Sequence, residues 1–119
     1  MGIGFTIIGL CDFVYCTSDT KFSAPLVKLA QGINTLKWLM LKGPEGCSSF
    51  TFPHYFGAHK ANEVIFFGKD LSVQEALKSN FVNQAFDNQQ TMEKEVNDII
   101  KTLINFDQES VINAKRLLT

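Results

Sequence analysis

The chain has 119 residues, a formal net charge of −1 and 45% hydrophobic residues. This length is enough to bury one hydrophobic core. The near-neutral charge excludes the basic surface of a nucleic-acid-binding domain, and the hydrophobic content excludes a disordered chain. A small apolar or acyl partner fits this composition better than nucleic acid does.

Cysteine and histidine are too scattered to form a metal site. No two of the cysteines, Cys11, Cys16 and Cys47, have CxxC spacing. Only two histidines, His54 and His59, could act as further metal ligands. Both histidines are expected at the surface. The odd number of cysteines favours reduced core thiols in a reducing compartment over a disulfide framework. The apolar start, MGIGFTIIGLCDF, is too short to span a bilayer and lacks the basic residues of a signal peptide.

The first predicted elements are a helix and two strands. Glycines at positions 2, 4 and 9 of GIGFTIIGL predict a tight turn that leads into a short, buried helix. The segment DFVYC, residues 12–16, is β-branched and aromatic and predicts a buried strand. After a turn at TSD, the segment KFSAP, residues 21–25, predicts a second short strand that Pro25 ends.

Helical patterns fill the middle of the chain. The segment INTLKWLMLK, residues 33–42, has apolar residues three and four apart and predicts a short amphipathic helix. Pro53 is expected to interrupt the helix that follows Glu45. The next helix is predicted over AHKANEVIFFG, residues 58–68, with Phe67 among its apolar positions and Gly68 as its stop.

The last third predicts a helix, a strand and two longer helices. Ser72 and Glu75 form the S-x-x-E pattern of a capping box, which opens a helix over SVQEALKSN. FVNQAF, residues 81–86, alternates apolar and polar side chains and predicts a half-buried strand. Residues 91–106 and 110–118 each carry an apolar stripe at helical spacing and predict two amphipathic helices.

Several segments taken together resemble the enoyl-CoA hydratase/isomerase, or crotonase, family, and within it the peroxisomal Δ3,Δ2-enoyl-CoA isomerase branch. They are GIGFTIIGLCDFVYC, FSAPLVKLAQ, PEGCSSFTFP, AHKANEVIFFGKDLSVQEALKSNFVNQAF and SVINAKRLL. The resemblance implies an α/β fold, with part of a crotonase-like ββα spiral over residues 1–90 and C-terminal helices over residues 91–119. Residues 33–43 form an insertion relative to the family. The family's earlier turns, which supply one of two oxyanion-hole amides, would precede Met1, so this chain matches the C-terminal half.

The resemblance also implies a set of site residues. Glu45 matches the branch's single acid/base, and the backbone amide of Ile3 matches an oxyanion donor. Gly2 and Gly4 match positions that let the backbone approach the substrate. This chemistry needs both groups, because a proton next to a thioester leaves only if a base removes it while donors stabilise the enolate oxygen.

Further expectations concern substrate and specificity. Phe50 and Phe66 are candidates for lining the acyl cleft, although aromatic residues at helical spacing are more often core. Hydratases of the family use two glutamates, whose positions hold Thr6 and Leu26 here, so hydration is disfavoured. The resemblance implies a fatty enoyl-CoA thioester as substrate, no cofactor, no metal, a homotrimer, and a location in the peroxisome or mitochondrion.

Two functions stay open from the sequence. The first is a Δ3,Δ2-enoyl-CoA isomerase, with Glu45 as its base. The second is a non-catalytic crotonase-like module that binds acyl-CoA or partner subunits. Glu45 also has a purely structural interpretation, because a glutamate in the first turn of a helix is favoured by the helix dipole.

Overall fold

The computed structural model describes residues 2–25 and 47–118. Glu45, Leu26 and the insertion at residues 33–43, with the helix predicted there, lie outside the described residues. The chain begins with helix α1 (Ile3–Thr6), which continues as a 3₁₀ helix (Ile7–Leu10). This confirms the predicted turn and helix. Phe5 and Thr6 are buried whereas Ile3 and Ile7 are about half exposed, so only one side of the helix faces the core.

A short parallel sheet joins the two ends of the described core. Strand β1 (Tyr15–Thr17) pairs with strand β2 (Gln84–Phe86), and Cys16 lies opposite Ala85. The strands predicted over residues 12–16 and 81–86 are therefore present but shorter than expected. Parallel strands need a crossover connection between them, and here helical elements follow β1 and precede β2.

Two predictions in this region are wrong. Residues 21–25 do not form a second strand, because only Phe22 pairs, in one isolated antiparallel bridge with Leu71. Pro53 does not interrupt a helix, because helix α2 (Ser48–Phe56) continues through it and ends before Gly57. A proline in the second turn removes a single intrahelical hydrogen bond, and packing of the buried Phe52 offsets that loss.

The next two helices begin and end where the sequence predicts. Helix α3 (Ala58–Phe67) ends at Gly68, which adopts the left-handed conformation of a C-cap with φ of 57°. Helix α4 (Val73–Lys78) starts with the complete capping box of Ser72 and Glu75. Phe67, one of the apolar positions of α3, is 68% exposed.

The two C-terminal helices are amphipathic, as predicted, but their apolar faces are not buried. Helix α5 (Gln89–Asn105) and helix α6 (Gln108–Leu118) contain no buried residue. Ile104 is 67% exposed and Leu117 89% exposed. No helix in residues 2–25 and 47–118 is long and apolar enough to cross a membrane.

The core is an aromatic cluster around Phe5. Its ring centroid lies 4.8 Å from that of Phe52, 5.5 Å from that of Phe22 and 5.7 Å from that of Phe81. All four side chains are at most 5% exposed. Aromatic pairs at these distances add to the stabilisation from burial, so α1 is held on the core through one large side chain.

The cysteines are free, but the prediction of core thiols holds for one of them. Cys16 is buried in β1, whereas Cys11 and Cys47 are exposed. Burial raises the pKa of the Cys16 thiol, although a hydrogen bond with Thr20 opposes that shift. Cys11 directly follows the 3₁₀ helix and Cys47 directly precedes α2, so both exposed thiols lie at helix ends.

Candidate functional site

The Gly2–Ile3 peptide at the start of α1 is fixed by its own backbone. The N–H of Gly2 donates to the carbonyl of Ser23 at 2.9 Å. The carbonyl of Gly2 accepts hydrogen bonds from the N–H of Phe5 at 2.9 Å and of Thr6 at 3.2 Å. Gly2 has φ of 61° and ψ of −132°, a conformation that only glycine adopts readily.

These bonds set the direction of the Ile3 amide. In a trans peptide the N–H points opposite to the carbonyl. The Gly2 carbonyl points into α1, so the Ile3 N–H points out of the helix start. In the described part of the chain no hydrogen bond uses this N–H, as expected for the first residue of a helix. An oriented donor without a partner is what an oxyanion site requires.

Gly9 and Gly4, the other two glycines near the start of the chain, serve different purposes. A Cβ on Gly9 would lie 2.9 Å from Oγ1 of Thr51, so Gly9 is needed for close packing against α2. A Cβ on Gly4 would meet no described atom within 4 Å, and Gly4 is exposed. Packing within the described residues therefore does not require a glycine at position 4. The start of α1 is therefore uncovered at Gly4 by the described residues.

A second set of contacts connects the donor turn, which is the Gly2–Ile3 peptide at the start of α1, to α4. The residue before Ser23, Phe22, accepts a hydrogen bond from the N–H of Leu71 at 2.9 Å. Leu71 directly precedes the capping box that opens α4. The carbonyl of Ser23 was not predictable as a support for Gly2, because any residue offers the same backbone acceptor.

An ion pair joins α3 to α4 beside this link. Nζ of Lys60 lies 2.6 Å from Oε1 of Glu75. The hydrogen bond from Lys60, assisted by the backbone N–H of Ser72, lowers the pKa of Glu75 to about 2. The same hydrogen bond with Glu75 raises the pKa of Lys60. The capping box was visible in the sequence, whereas the partner on another helix was not.

The remaining predicted site residues are not brought together with Ile3 by the described contacts. Glu45 lies outside the described residues, and α2 begins three positions after it at Ser48. Phe50 in α2 is 78% exposed, and Phe66 in α3 is 59% exposed. Among the described residues, neither ring contacts the aromatic cluster around Phe5. His54 and His59 are exposed, as predicted.

Two buried hydroxyls in α2 were not anticipated. Ser48 is fully buried and Thr51 is 4% exposed, and neither side-chain oxygen has a hydrogen-bond partner among the described residues. A buried hydroxyl without a partner costs about 1–3 kcal/mol. Thr6, also fully buried, differs from both because its hydroxyl donates to the carbonyl of Ile3 at 3.2 Å.

An open apolar cleft of about 620 Å³ lies between α5, α6 and the segment after the 3₁₀ helix. Nζ of Lys115 lies 2.6 Å from Oδ2 of Asp12 at its edge, an exposed ion pair that links α6 to that segment. Its apolar lining includes Phe13, Ile100, Leu103, Ile104, Val111 and Leu118.

Comparison with known families identifies the fold. The family model described as enoyl-CoA hydratase/isomerase matches residues 1–118. The chain belongs to the enoyl-CoA hydratase/isomerase family. Among solved structures, an enoyl-CoA hydratase/isomerase from Pseudoalteromonas atlantica is 29% identical with a TM-score of 0.79, and covers 98% of this chain and 42% of its own. Pseudomonas aeruginosa OdaA is 27% identical with a TM-score of 0.82, covering 98% and 43%. The chain therefore has part of an α/β crotonase fold, as predicted.

Curated relatives of this family member are longer proteins. Rat "Enoyl-CoA delta isomerase 2" is 35% identical over 118 residues, which are 99% of this chain and 27% of the relative. Mouse "Enoyl-CoA delta isomerase 3, peroxisomal" is 34% identical over 102 residues, 86% of this chain and 28% of the relative. Mouse "Chromodomain Y-like protein 2" is 35% identical over 86 residues, 72% and 15%. The chain spans less than a third of the length of these relatives.

Proposed function

We propose that this family member acts as a Δ3,Δ2-enoyl-CoA isomerase on fatty enoyl-CoA thioesters. The observation that carries the proposal is the fixed Gly2–Ile3 peptide, whose N–H points out of the start of α1 without a partner among the described residues. The similarity to proteins named enoyl-CoA delta isomerase supports the choice of reaction.

The proposed reaction uses one carboxylate and the Ile3 amide. Glu45 takes the proton from C2 of the 3-enoyl thioester, and the electron pair left behind forms a dienolate whose negative charge is held largely on the thioester oxygen. The N–H of Ile3 donates to that oxygen and stabilises the charge as it develops. Glu45 then returns the proton at C4, which leaves the double bond between C2 and C3. Atoms and charge balance without a metal or a redox cofactor.

The side chain at position 6 supports isomerisation over hydration. Thr6 is fully buried and its hydroxyl donates to the carbonyl of Ile3. A threonine hydroxyl cannot replace the second carboxylate that activates water in hydration. Isomerisation needs only one acid/base group, the carboxylate of Glu45.

The other predicted residues have supporting roles in this proposal. Gly4 leaves the start of α1 open to the thioester. Phe50 and Phe66 contact the acyl chain, a role for which large exposed rings are suited. By the same resemblance we assign the protein to the peroxisome or mitochondrion, as a homo-oligomer associating through α5 and α6.

Glu45→Gln tests the assignment of the base. The substitution keeps the side-chain shape but removes the proton acceptor, so kcat for conversion of 3-enoyl-CoA to the conjugated 2-enoyl thioester should fall by about 10²–10⁴ with little change in KM. Glu95→Gln, on the exposed face of α5, is the matched control and should keep the parent rate. Equal rates for Glu45→Gln and the parent would remove Glu45 from the mechanism.

A non-catalytic binding module is the second candidate, and the exposed apolar faces of α5 and α6 favour it. This candidate predicts no turnover but association of copies at micromolar concentration, measured by light scattering. The double variant Leu117→Glu/Leu118→Glu should then lower the molar mass measured by light scattering. Lys94→Glu on α5 should leave that mass unchanged. Turnover of 3-enoyl-CoA by the parent, in any oligomeric state, would exclude this candidate.

A further inference from the structure

Thr6 contacts the backbone on both sides of Ile3. Its N–H donates to the carbonyl of Gly2 at 3.2 Å, and its hydroxyl donates to the carbonyl of Ile3 at 3.2 Å. These carbonyls belong to the peptide units before and after the Ile3 Cα. The Gly2 carbonyl also accepts from Phe5, and the Ile3 carbonyl from the N–H of Ile7. One residue therefore bonds both the peptide plane that contains the Ile3 N–H and the peptide plane that follows it.

We propose that Thr6 is a positioning residue for the oxyanion donor, because its N–H and hydroxyl hold the two carbonyls that flank Ile3. The inference rests on the proposed function for its effect on rate, but the geometry stands without it. Misplacement of a donor lowers its contribution to the transition state, while ground-state binding of the thioester depends on many other contacts.

The Thr6 hydroxyl is both buried and bonded, whereas the buried hydroxyls of Ser48 and Thr51 have no partner among the described residues. The side chain is fully buried next to Phe5, where a valine of the same shape would avoid desolvating a hydroxyl. Threonines in helices commonly bond a carbonyl three or four residues back, which satisfies the hydroxyl and can bend the helix. Here that carbonyl belongs to the residue whose amide is the proposed donor. A purely structural role predicts lower stability for Thr6→Val with unchanged kcat of the folded protein.

The chain contains a matched control. Thr51 is 4% exposed and its hydroxyl has no hydrogen-bond partner among the described residues. Thr51→Val and Thr6→Val thus make the same chemical change at two buried sites, and only Thr6→Val removes a hydrogen bond to the donor turn. Thr6→Ser keeps the hydroxyl and serves as the conservative rescue. If Thr6→Val fails to fold, Thr6→Cys replaces it and is compared with Thr6→Ser, because both lack the Cγ2 methyl group and only the cysteine has a weak donor in place of the hydroxyl.

The experiment measures kcat and KM with 3-enoyl-CoA, and the NMR backbone order parameter of the Ile3 amide, on the full chain. For Thr6→Val we expect kcat to fall about three- to tenfold with KM within about twofold of the parent. The order parameter of Ile3 should fall as well. Thr51→Val and Thr6→Ser should match the parent in both measurements.

The outcomes separate this proposal from the proposed function. A parent chain without turnover contradicts the isomerase function, and the order parameter alone then decides the role of Thr6. An Ile3 order parameter that is equal in Thr6→Val and Thr51→Val overturns the positioning role. An active parent whose kcat is unchanged by Thr6→Val overturns it as well.

Discussion

Gly2 and Gly4 flank the proposed donor, but the backbone uses them differently. Gly2 has a positive φ, whereas Gly4 lies inside α1 in an ordinary helical conformation. An L-residue at Gly2 is strained regardless of the space around it. At Gly4 an alanine would lower the conformational entropy of the unfolded chain and meet no described atom.

Gly2→Ala and Gly4→Ala should therefore have different effects on stability. We expect Gly2→Ala to lower the free energy of unfolding by about 1–3 kcal/mol, and Gly4→Ala to leave it unchanged or raise it by up to about 1 kcal/mol. Under the proposed function Gly4→Ala should still raise KM, because its methyl group lies where the thioester approaches. Urea denaturation and steady-state kinetics measure the two effects. A marked loss of stability in Gly4→Ala would contradict this account of its role.

Residue patterns that act locally were predictable from the sequence. The left-handed Gly68 and the capping box of Ser72 and Glu75 depend on neighbours within a few positions, and both are present. Exposure was less predictable, because it depends on elements distant in the chain. Cys47 and Phe67 are exposed although their residue types usually lie inside.

At the scale of elements, α3 and α4 are held together by the pair of Lys60 and Glu75. Both side chains are partly exposed, Glu75 by 43%, so solvent screens the interaction. The folded-state pKa of Glu75 is about 2, below its usual value of 4.5. The stabilisation is therefore present above pH 4.5 and is lost as the pH falls from about 4.5 to about 2.

Glu75→Gln should test this pair without removing the cap, since glutamine also completes a capping box. We expect a loss of at most about 1 kcal/mol of unfolding free energy at pH 7 after allowance for solvent screening. The difference from the parent should shrink as the pH falls from 4.5 towards 2. Chemical denaturation across this pH range measures it. A difference that stays constant with pH would show that the ion pair contributes nothing.

The elements themselves were predicted better than their pairing. The alternation in residues 81–86 correctly indicated a strand, but its parallel partner 69 residues away, from Tyr15 to Gln84, has no signature in the sequence. Residues 21–25 have strand-like composition, yet their one β-bridge among the described residues is that of Phe22 with Leu71. Strand formation depends on an available neighbouring strand as much as on composition.

At the scale of the whole molecule, this chain carries part of the family fold, and its exposed surfaces reflect that. The apolar faces of α5 and α6 lie open around the cleft whose edge is the Asp12–Lys115 pair. Contiguous exposed apolar surface of this kind is typical of contact with a partner or ligand. The family could be recognised from sequence because its segments occur in order, whereas the position of Glu45 relative to Ile3 depends on packing that the segments do not encode.

The central claim is that the N–H of Ile3 stabilises the enolate oxygen, and replacing that single amide with an ester tests it most directly. Because residue 11 is cysteine, a synthetic peptide of residues 1–10 can be ligated to residues 11–119 to give a full chain with an ester at the Gly2–Ile3 linkage. The matched control carries the ester at the Ile3–Gly4 linkage, and an all-amide ligated chain is the reference. We predict that the Gly2–Ile3 ester lowers kcat for 3-enoyl-CoA by about 10²–10³ while the Ile3–Gly4 ester has a much smaller effect. Equal turnover by the Gly2–Ile3 ester and the all-amide chain would contradict the account.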